Sequence, residues 1–347
     1  MKLLKRIILL GLIVLIGAGG YIYYGYNQNL KPLSNEKQEI EFSVESGDTV
    51  NHVIDELIED GLVGNKFFTQ IYVKINHIDS VQINNYVLSP DLSLKEIFDI
   101  LQNGNHENLV QETMTIVEGS SIVEIAQELS NHLELTSDQI LETMDSQEFI
   151  EELMSEYPML TEDILNENIY HPLEGYLCPE TYSLAGISKD LKTYVKLMLD
   201  PVQSFVNENS AAIEAKGMTV HEYLSFCSVV ENERLYEEDI PMIAEVFYNR
   251  LSIGMPMQSD TTVLYALNLS KIDVTYEDLE VDSLYNTYKY PGTPVGPVCN
   301  ISLATLQACL NPAENDYLYF FACEDGTVLY AATYEEHLKN CEENKWY

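Results

Sequence analysis

Glu231 stands at the end of an almost wholly apolar run, Cys227-Ser228-Val229-Val230, and is followed by Asn232-Glu233. A carboxyl group held against apolar surface has its charged form disfavoured, and so keeps its proton near neutral pH. That is the state in which a general acid can protonate a departing sugar oxygen. Glu233 lies two residues further on, so on a helix it points away from Glu231 and does not form a close acid pair with it. Behind them come Gln258, Ser259 and Asp260 in a Pro-containing turn, then Tyr285-Asn286-Thr287-Tyr288. Aromatic faces beside amide and hydroxyl groups suit a saccharide, although the same side chains also serve ordinary packing. Arg250 is a candidate partner for Glu231, Glu233 or Asp260.

The elements that must position these groups are legible nearby. Thr219 and Glu222 have capping-box spacing and start a helix. Tyr223, Phe226, Cys227 and Val230 make one apolar face of that helix, and Leu224 and Val229 make others, so it is buried nearly all round. Asp239, with Pro241 in the first turn, opens a second helix that buries Ile243, Val246, Phe247 and Leu251 and ends near Gly254. Residues 135–215 read as mainly helical. Within them Glu174-Gly175-Tyr176-Leu177-Cys178-Pro179-Glu180-Thr181-Tyr182 reads as an ordered, packed loop.

Lys and Arg number 18 against 56 Asp and Glu, a net charge of −38. Such a surface repels phosphate backbones, which makes nucleic acid a poor partner and favours a neutral or zwitterionic polymer. Six cysteines lie in the C-terminal half, where six thiols allow 15 pairings that sequence alone cannot choose between. No Cys-x-x-Cys or His-x-x-x-His spacing occurs, so neither a metal nor another cofactor is expected. At the N-terminus Lys2, Lys5 and Arg6 precede an uncharged run from Ile7 to Tyr24, about one bilayer crossing. Tyr21, Tyr23, Tyr24 and Tyr26 suit an interfacial belt, and the basic flank places the N-terminus in the cytoplasm with the rest outside.

The expected organisation is a tail at 1–6, a transmembrane anchor at 7–26, a linker at 27–39, a small β-α subdomain at 40–112 and a mixed α/β domain at 113–345. The fold class is α+β. Phe42-Ser43-Val44-Glu45-Ser46-Gly47-Asp48-Thr49-Val50 and Met114-Thr115-Ile116-Val117-Glu118-Gly119-Ser120-Ser121-Ile122 align at an offset of 72 (114 − 42), each an alternating strand, a turn glycine and a helix cap. Ser93 with Glu96 adds another capping box before Leu94, Ile97 and Leu101, with Gly104 placed to close that helix. The first of these units resembles the LysM-type module, which implies binding to glycan chains.

Taken in order, a series of motifs resembles the YceG-like endolytic murein transglycosylases. They are Glu174-Gly175-Tyr176 with Pro179-Glu180-Thr181-Tyr182, Ser228 to Glu233, Val246 to Leu251, Ile253 to Pro256, Gln258 to Asp260, Tyr285 to Tyr288, Gly296 to Asn300 and Thr333 to His337. The resemblance implies that Glu231 is the catalytic glutamate. Ser228, Gln258, Ser259, Asp260, Tyr285, Asn286, Thr287, Tyr288 and Asn300 form the expected substrate-binding set. It further implies cleavage of the N-acetylmuramic acid to N-acetylglucosamine bond in peptidoglycan, a 1,6-anhydro product, a cell-membrane anchor and wall-synthesis partners. Asn232 replaces a usual Lys, Thr261 a usual Pro, and Ile301-Ser302 a usual Pro-Gly. A non-catalytic peptidoglycan-binding scaffold and a muramidase-type hydrolase stand as alternatives. The intact motif around Glu231 speaks against the scaffold, and a hydrolase needs a second carboxylate, for which Asp260 is the candidate.

Overall fold

The structure, a computed structural model, describes residue 17 and residues 19–44, 47–103, 113–184, 187–269 and 274–344. The chain divides into two compact units. One carries the described residues up to Thr113 with Ser183, Leu184 and Ile187, and the other those of Met114–Tyr182 and from Ser188 on.

In the first unit the order is β1 (Ile40–Val44), α1 (Val50–Glu59), α2 (Lys66–Ile75), β2 (Asn84–Leu88) and α3 (Leu94–Asn103). The strands pair antiparallel with Phe42 opposite Tyr86. Alternation puts Phe42, Val44, Tyr86 and Leu88 on the inner face, where they meet Ile54 and Leu57 of α1 and Phe98 of α3. The helix starts are those the sequence predicts: Thr49 accepts the His52 N–H at 3.3 Å, and Ser93 and Glu96 exchange bonds. Gly104 lies outside the described residues. The polar stretch expected to be a linker is tied down, since Asn29 accepts the Asn65 N–H at 2.7 Å and Leu30 O that of Leu94 at 3.3 Å. Residues 7–16 and 18 of the expected anchor lie outside the described residues, and among the described residues no helix is long and apolar enough to cross a membrane.

The later elements, in the second unit except for the end residues Thr113 and Ser183, are β3 (Thr113–Thr115), α4 (Ile122–Ser130), α5 (Ser137–Met144), α6 (Gln147–Glu156), β4 (Thr181–Ser183), α7 (Leu191–Ala215), α8 (Val220–Glu233), α9 (Ile240–Ser252), α10 (Asp260–Leu267), α11 (Leu303–Leu310), β5 (Tyr319–Ala322), β6 (Val328–Ala331) and α12 (Tyr334–Glu343). β3 bonds to β4, and β5 to β6, so among the described residues the sheets are separate two-stranded ladders among helices. The fold is α+β. The predicted strand-turn-helix repeat is present: Gly47 and Gly119 both adopt positive φ, and Thr49 and Ser121 both cap a helix.

Residues 135–215 are mainly helical, as expected, with helices at Ser137–Met144, Gln147–Glu156 and Leu191–Ala215, but the non-helical stretch is longer than the predicted loop, and one cap is corrected. Residues 157–180 are not helical apart from one turn at Glu162–Leu165, because Pro158, Pro172 and Pro179 interrupt them and Gly175 takes φ 81°. The loop is nonetheless ordered, with Tyr182 donating to Cys178 O at 2.6 Å. Asp239 stands at the N-cap of α9 without capping it, since its carboxylate accepts the Tyr236 N–H at 3.2 Å instead.

Candidate functional site

The platform of the site is α8. The Thr219 hydroxyl accepts the Glu222 N–H at 3.1 Å and the Glu222 carboxylate accepts that of Thr219 at 2.8 Å, the predicted reciprocal cap. Every residue from Tyr223 to Glu231 is buried. Tyr223 donates to Leu306 O of α11 at 2.5 Å, and the Phe226 ring stacks on Tyr248 of α9 with centroids 4.2 Å apart. A helix fixed on several sides cannot slide or rotate, so the side chain at its last turn is presented rigidly. The chain leaves α8 at Arg234, which is extended at φ −73° and ψ 141°.

Glu231 occupies that last turn. Its carboxylate does not meet apolar surface alone, as the sequence predicts, but is fully partnered. Oε1 accepts Nε and Nη2 of Arg234 at 3.0 and 2.6 Å, and Oε2 accepts the Ser302 hydroxyl at 3.0 Å and its N–H at 3.4 Å. Arg234 Nη2 also donates to Glu118 Oε2 at 2.5 Å. The physical reason for the departure is general: a carboxylate taken out of water is retained when a cation and hydrogen bonds replace the water. Ser302 in turn caps α11, its hydroxyl accepting the Thr305 N–H at 3.2 Å.

The segment 297–302 closes the site from behind. Val298 N–H donates to the Ser228 hydroxyl at 3.0 Å, and that hydroxyl donates to Ser225 O at 2.8 Å. The Asn300 side chain accepts the N–H groups of Gly175 and Leu177 at 2.9 and 3.0 Å and donates to Glu174 at 2.7 Å and to Ser120 O at 3.1 Å. Glu174 is buried and also accepts the Ile122 N–H at 3.0 Å and the Tyr265 hydroxyl at 3.2 Å. Loss of water pushes its carboxyl up to about 7, against the opposing effect of these donors.

On the other flank Glu233 turns away from Glu231, as helical spacing predicts, and accepts the Ser259 hydroxyl at 2.6 Å. Burial, with the charge of Asp260 adding to it, raises the Glu233 carboxyl above its ordinary value. Thr287 accepts the Ser259 N–H at 3.1 Å and meets the Thr262 hydroxyl at 2.9 Å. Tyr288 donates to Asp260 at 2.6 Å. Asn286 donates to Leu279 O and Val281 O, both at 2.9 Å.

Of the predicted substrate-binding residues, Ser228, Asn286, Thr287 and Asn300 are therefore buried and committed to internal bonds. They shape the site from within and do not offer free polar groups to a sugar. Tyr285 is buried too, its ring 4.8 Å from that of Tyr265. Ser259 is buried against Glu233, whereas Gln258 and Asp260 are exposed and Tyr288 is half-buried. Arg250 pairs directly with none of its three candidates: it donates to Leu318 O at 2.6 Å and to Met257 O.

Sequence reading misses Arg234 and Ser302 as partners of the acid and Glu118 as the second partner of Arg234. For Arg234 a signal existed, since it lies three residues beyond Glu231, the spacing of helical neighbours. Ser302 and Glu118 come from distant segments and leave no local trace. Among the described residues no group of His, Cys, Asp and Glu is disposed to hold a metal ion. A cavity of about 610 Å³ opens at the opposite end of α8, lined among others by Glu162, Asp163, Thr219, His221 and Glu222; Glu231 is not part of it.

Comparison with known proteins identifies the family of the chain. Residues 42–343 match the model of the YceG-like family. The chain is 35% identical over 323 residues to a Bacillus subtilis (strain 168) protein named endolytic murein transglycosylase, covering 92% of this chain and 89% of that protein. It is 32% identical over 350 residues to a protein of the same name from Streptococcus pneumoniae serotype 2, covering 96% of this chain and 63% of the other. A crystal structure of a YceG-like protein from Listeria monocytogenes superposes with a TM-score of 0.63 at 35% identity, covering 88% of this chain and all of that one. With most of its length matched in sequence and in fold, the chain belongs to the YceG-like family.

Proposed function

We propose that this protein is an endolytic murein transglycosylase, a lyase that cuts peptidoglycan glycan strands internally. The observation that carries the reading is Glu231: a buried carboxylate in the last turn of a rigid helix, partnered by Arg234 and Ser302. Protonated Glu231 donates to the oxygen between N-acetylmuramic acid and N-acetylglucosamine as that bond breaks. The resulting carboxylate takes the proton of the sugar's own C6 hydroxyl, whose oxygen closes on the anomeric carbon and leaves a 1,6-anhydro end. One carboxylate serves both steps, whereas a hydrolase of the usual kind needs a second one ~5–9.5 Å away.

The basic flank and apolar run at the N-terminus support a single membrane anchor with the rest of the chain outside the cytoplasm. The β-α-α-β order of the first unit supports a LysM-like, glycan-holding role. In that setting the enzyme acts beside wall-synthesis proteins on nascent strands and limits their length.

Glu231→Gln keeps size and hydrogen bonding but cannot cycle a proton. We expect release of anhydro ends from purified peptidoglycan to fall by ~10²–10⁴-fold or more, and glycan strands to lengthen in cells carrying the variant. Mass of the wild-type product separates the alternatives, because an anhydro end is one water lighter than a reducing end and a scaffold yields neither. Near-normal activity of Glu231→Gln would sink the assignment and turn attention to Asp260 and Glu233.

A further inference from the structure

Arg234 sits between two carboxylates. Side-chain exposure rises from 1% at Glu231 through 17% at Arg234 to 51% at Glu118, so the guanidinium stands between the buried acid and solvent. Nε and Nη2 both address Glu231 Oε1, and the same Nη2 reaches Glu118. On the inner side Oε2 is held by Ser302. A hydroxyl can donate to a carboxylate or accept from a carboxylic acid, so Ser302 suits either state of Glu231. A guanidinium carries donors only, so it favours the charged state over the neutral one, whose carbonyl oxygen accepts from it more weakly.

A residue that serves first as acid and then as base alternates between these two states. A guanidinium fixed permanently on Oε1 would occupy that oxygen and keep a sugar from it. Glu118 removes the difficulty, because Arg234 can give up Oε1 without losing an anionic partner.

We propose that Arg234 is the positioning residue for the proton cycle of Glu231, facing its carboxylate form and withdrawing onto Glu118 when the protonated form addresses the sugar. The proposal rests on Glu231 being the acid. The protons balance: the one that Glu231 gives to the leaving oxygen is replaced by that of the C6 hydroxyl, and Arg234 returns and withdraws once per turnover.

The test uses the full-length, detergent-solubilised protein and soluble uncross-linked glycan strands, with release of anhydro ends read by mass. Arg234→Ala should lower kcat by about 10-fold or more, the scale of a lost charge-assisted bond, while KM stays within about 3-fold. Millimolar guanidinium should restore part of that kcat, and sodium chloride at the same concentration should not. Arg234→Lys should fall between, because an ammonium is a point charge that lacks the planar fork for both carboxylates. Glu118→Gln should lower kcat by a smaller factor with KM unchanged. Wild-type kcat in folded Arg234→Ala, with Glu231→Gln inactive, overturns the proposal and leaves the acid in place. A loss that guanidinium cannot restore overturns it as well, since it marks a merely structural role. If Arg234→Ala does not fold, Glu118→Gln decides, and an unchanged kcat there is refuting. Activity in Glu231→Gln would instead remove the reading of the acid itself.

Discussion

Replacing Glu174 by Gln tests the balance of forces behind the site. Burial lifts the Glu174 carboxyl from its ordinary 4.5 to about 7, so the folded state keeps its proton over a pH range in which the unfolded chain has lost it. Where the folded state binds more protons than the unfolded one, stability falls as pH rises. The loss begins near 4.5 and is complete above about 7. At 1.36 kcal/mol for each pH unit, that window amounts to about 3 kcal/mol. Glutamine has no proton to lose. Its carbonyl can accept from Asn300 and Ile122, and its amide can donate to Tyr265 once that hydroxyl turns from donor to acceptor. Any cost of this rearrangement is the same at every pH. The other charges that act on Glu174 are His171, ion-paired with Asp145 at 2.9 Å, and Glu124. Thermal unfolding of both proteins from pH 4 to 8 should therefore show the glutamine variant gaining about 3 kcal/mol on the parent. For a unit of this size that is a relative Tm gain of roughly 6–12 °C. A difference that stays flat across the range would mean that the hydrogen-bond donors outweigh desolvation, and the reasoning would fail.

Other outcomes follow from other parts of the molecule. Protease added to intact, wall-stripped cells should remove the chain beyond residue 40, and protection of that region would refute the proposed topology. Deleting residues 40–104 should weaken binding to insoluble peptidoglycan more than cleavage of short soluble strands; equal effects would leave the first unit a folding role only. In Gly175→Ala the new methyl would lie 2.3 Å from Pro297 Cβ on a backbone of φ 81°. The expected destabilisation is about 2–4 kcal/mol, read by thermal unfolding, and an unchanged Tm would show that Pro297 can yield.

How much the sequence disclosed depended on the range of each interaction. The caps at Ser93, Ser121 and Thr219 involve residues three apart, and all three helices start where their spacing predicts. The opposed directions of Glu231 and Glu233 follow from helical geometry in the same way. The surroundings of Glu231 were not legible, because Ser302 lies 71 residues away and its approach depends on how α8 and α11 pack. Polar residues in the motifs read as sugar ligands because type and spacing do not reveal whether a side chain is already satisfied. Asn300, with both ends of its amide occupied by the chain itself, is the clearest instance.

The segment 297–302 also sets a timetable. A chain is synthesised from its N-terminus, and domains generally fold as units. Glu118, Glu174, Glu231 and Arg234 are all made before Asn300 and Ser302, yet Glu174 and Glu231 each draw a partner from that later segment. Until about 70 further residues have left the ribosome, the acid has its helix but not the hydroxyl that fixes its inner oxygen. A nascent chain halted before residue 300 would thus carry the whole Glu231 motif and remain unarmed. Competence arrives late, once the segment 297–302 is available to pack against α8.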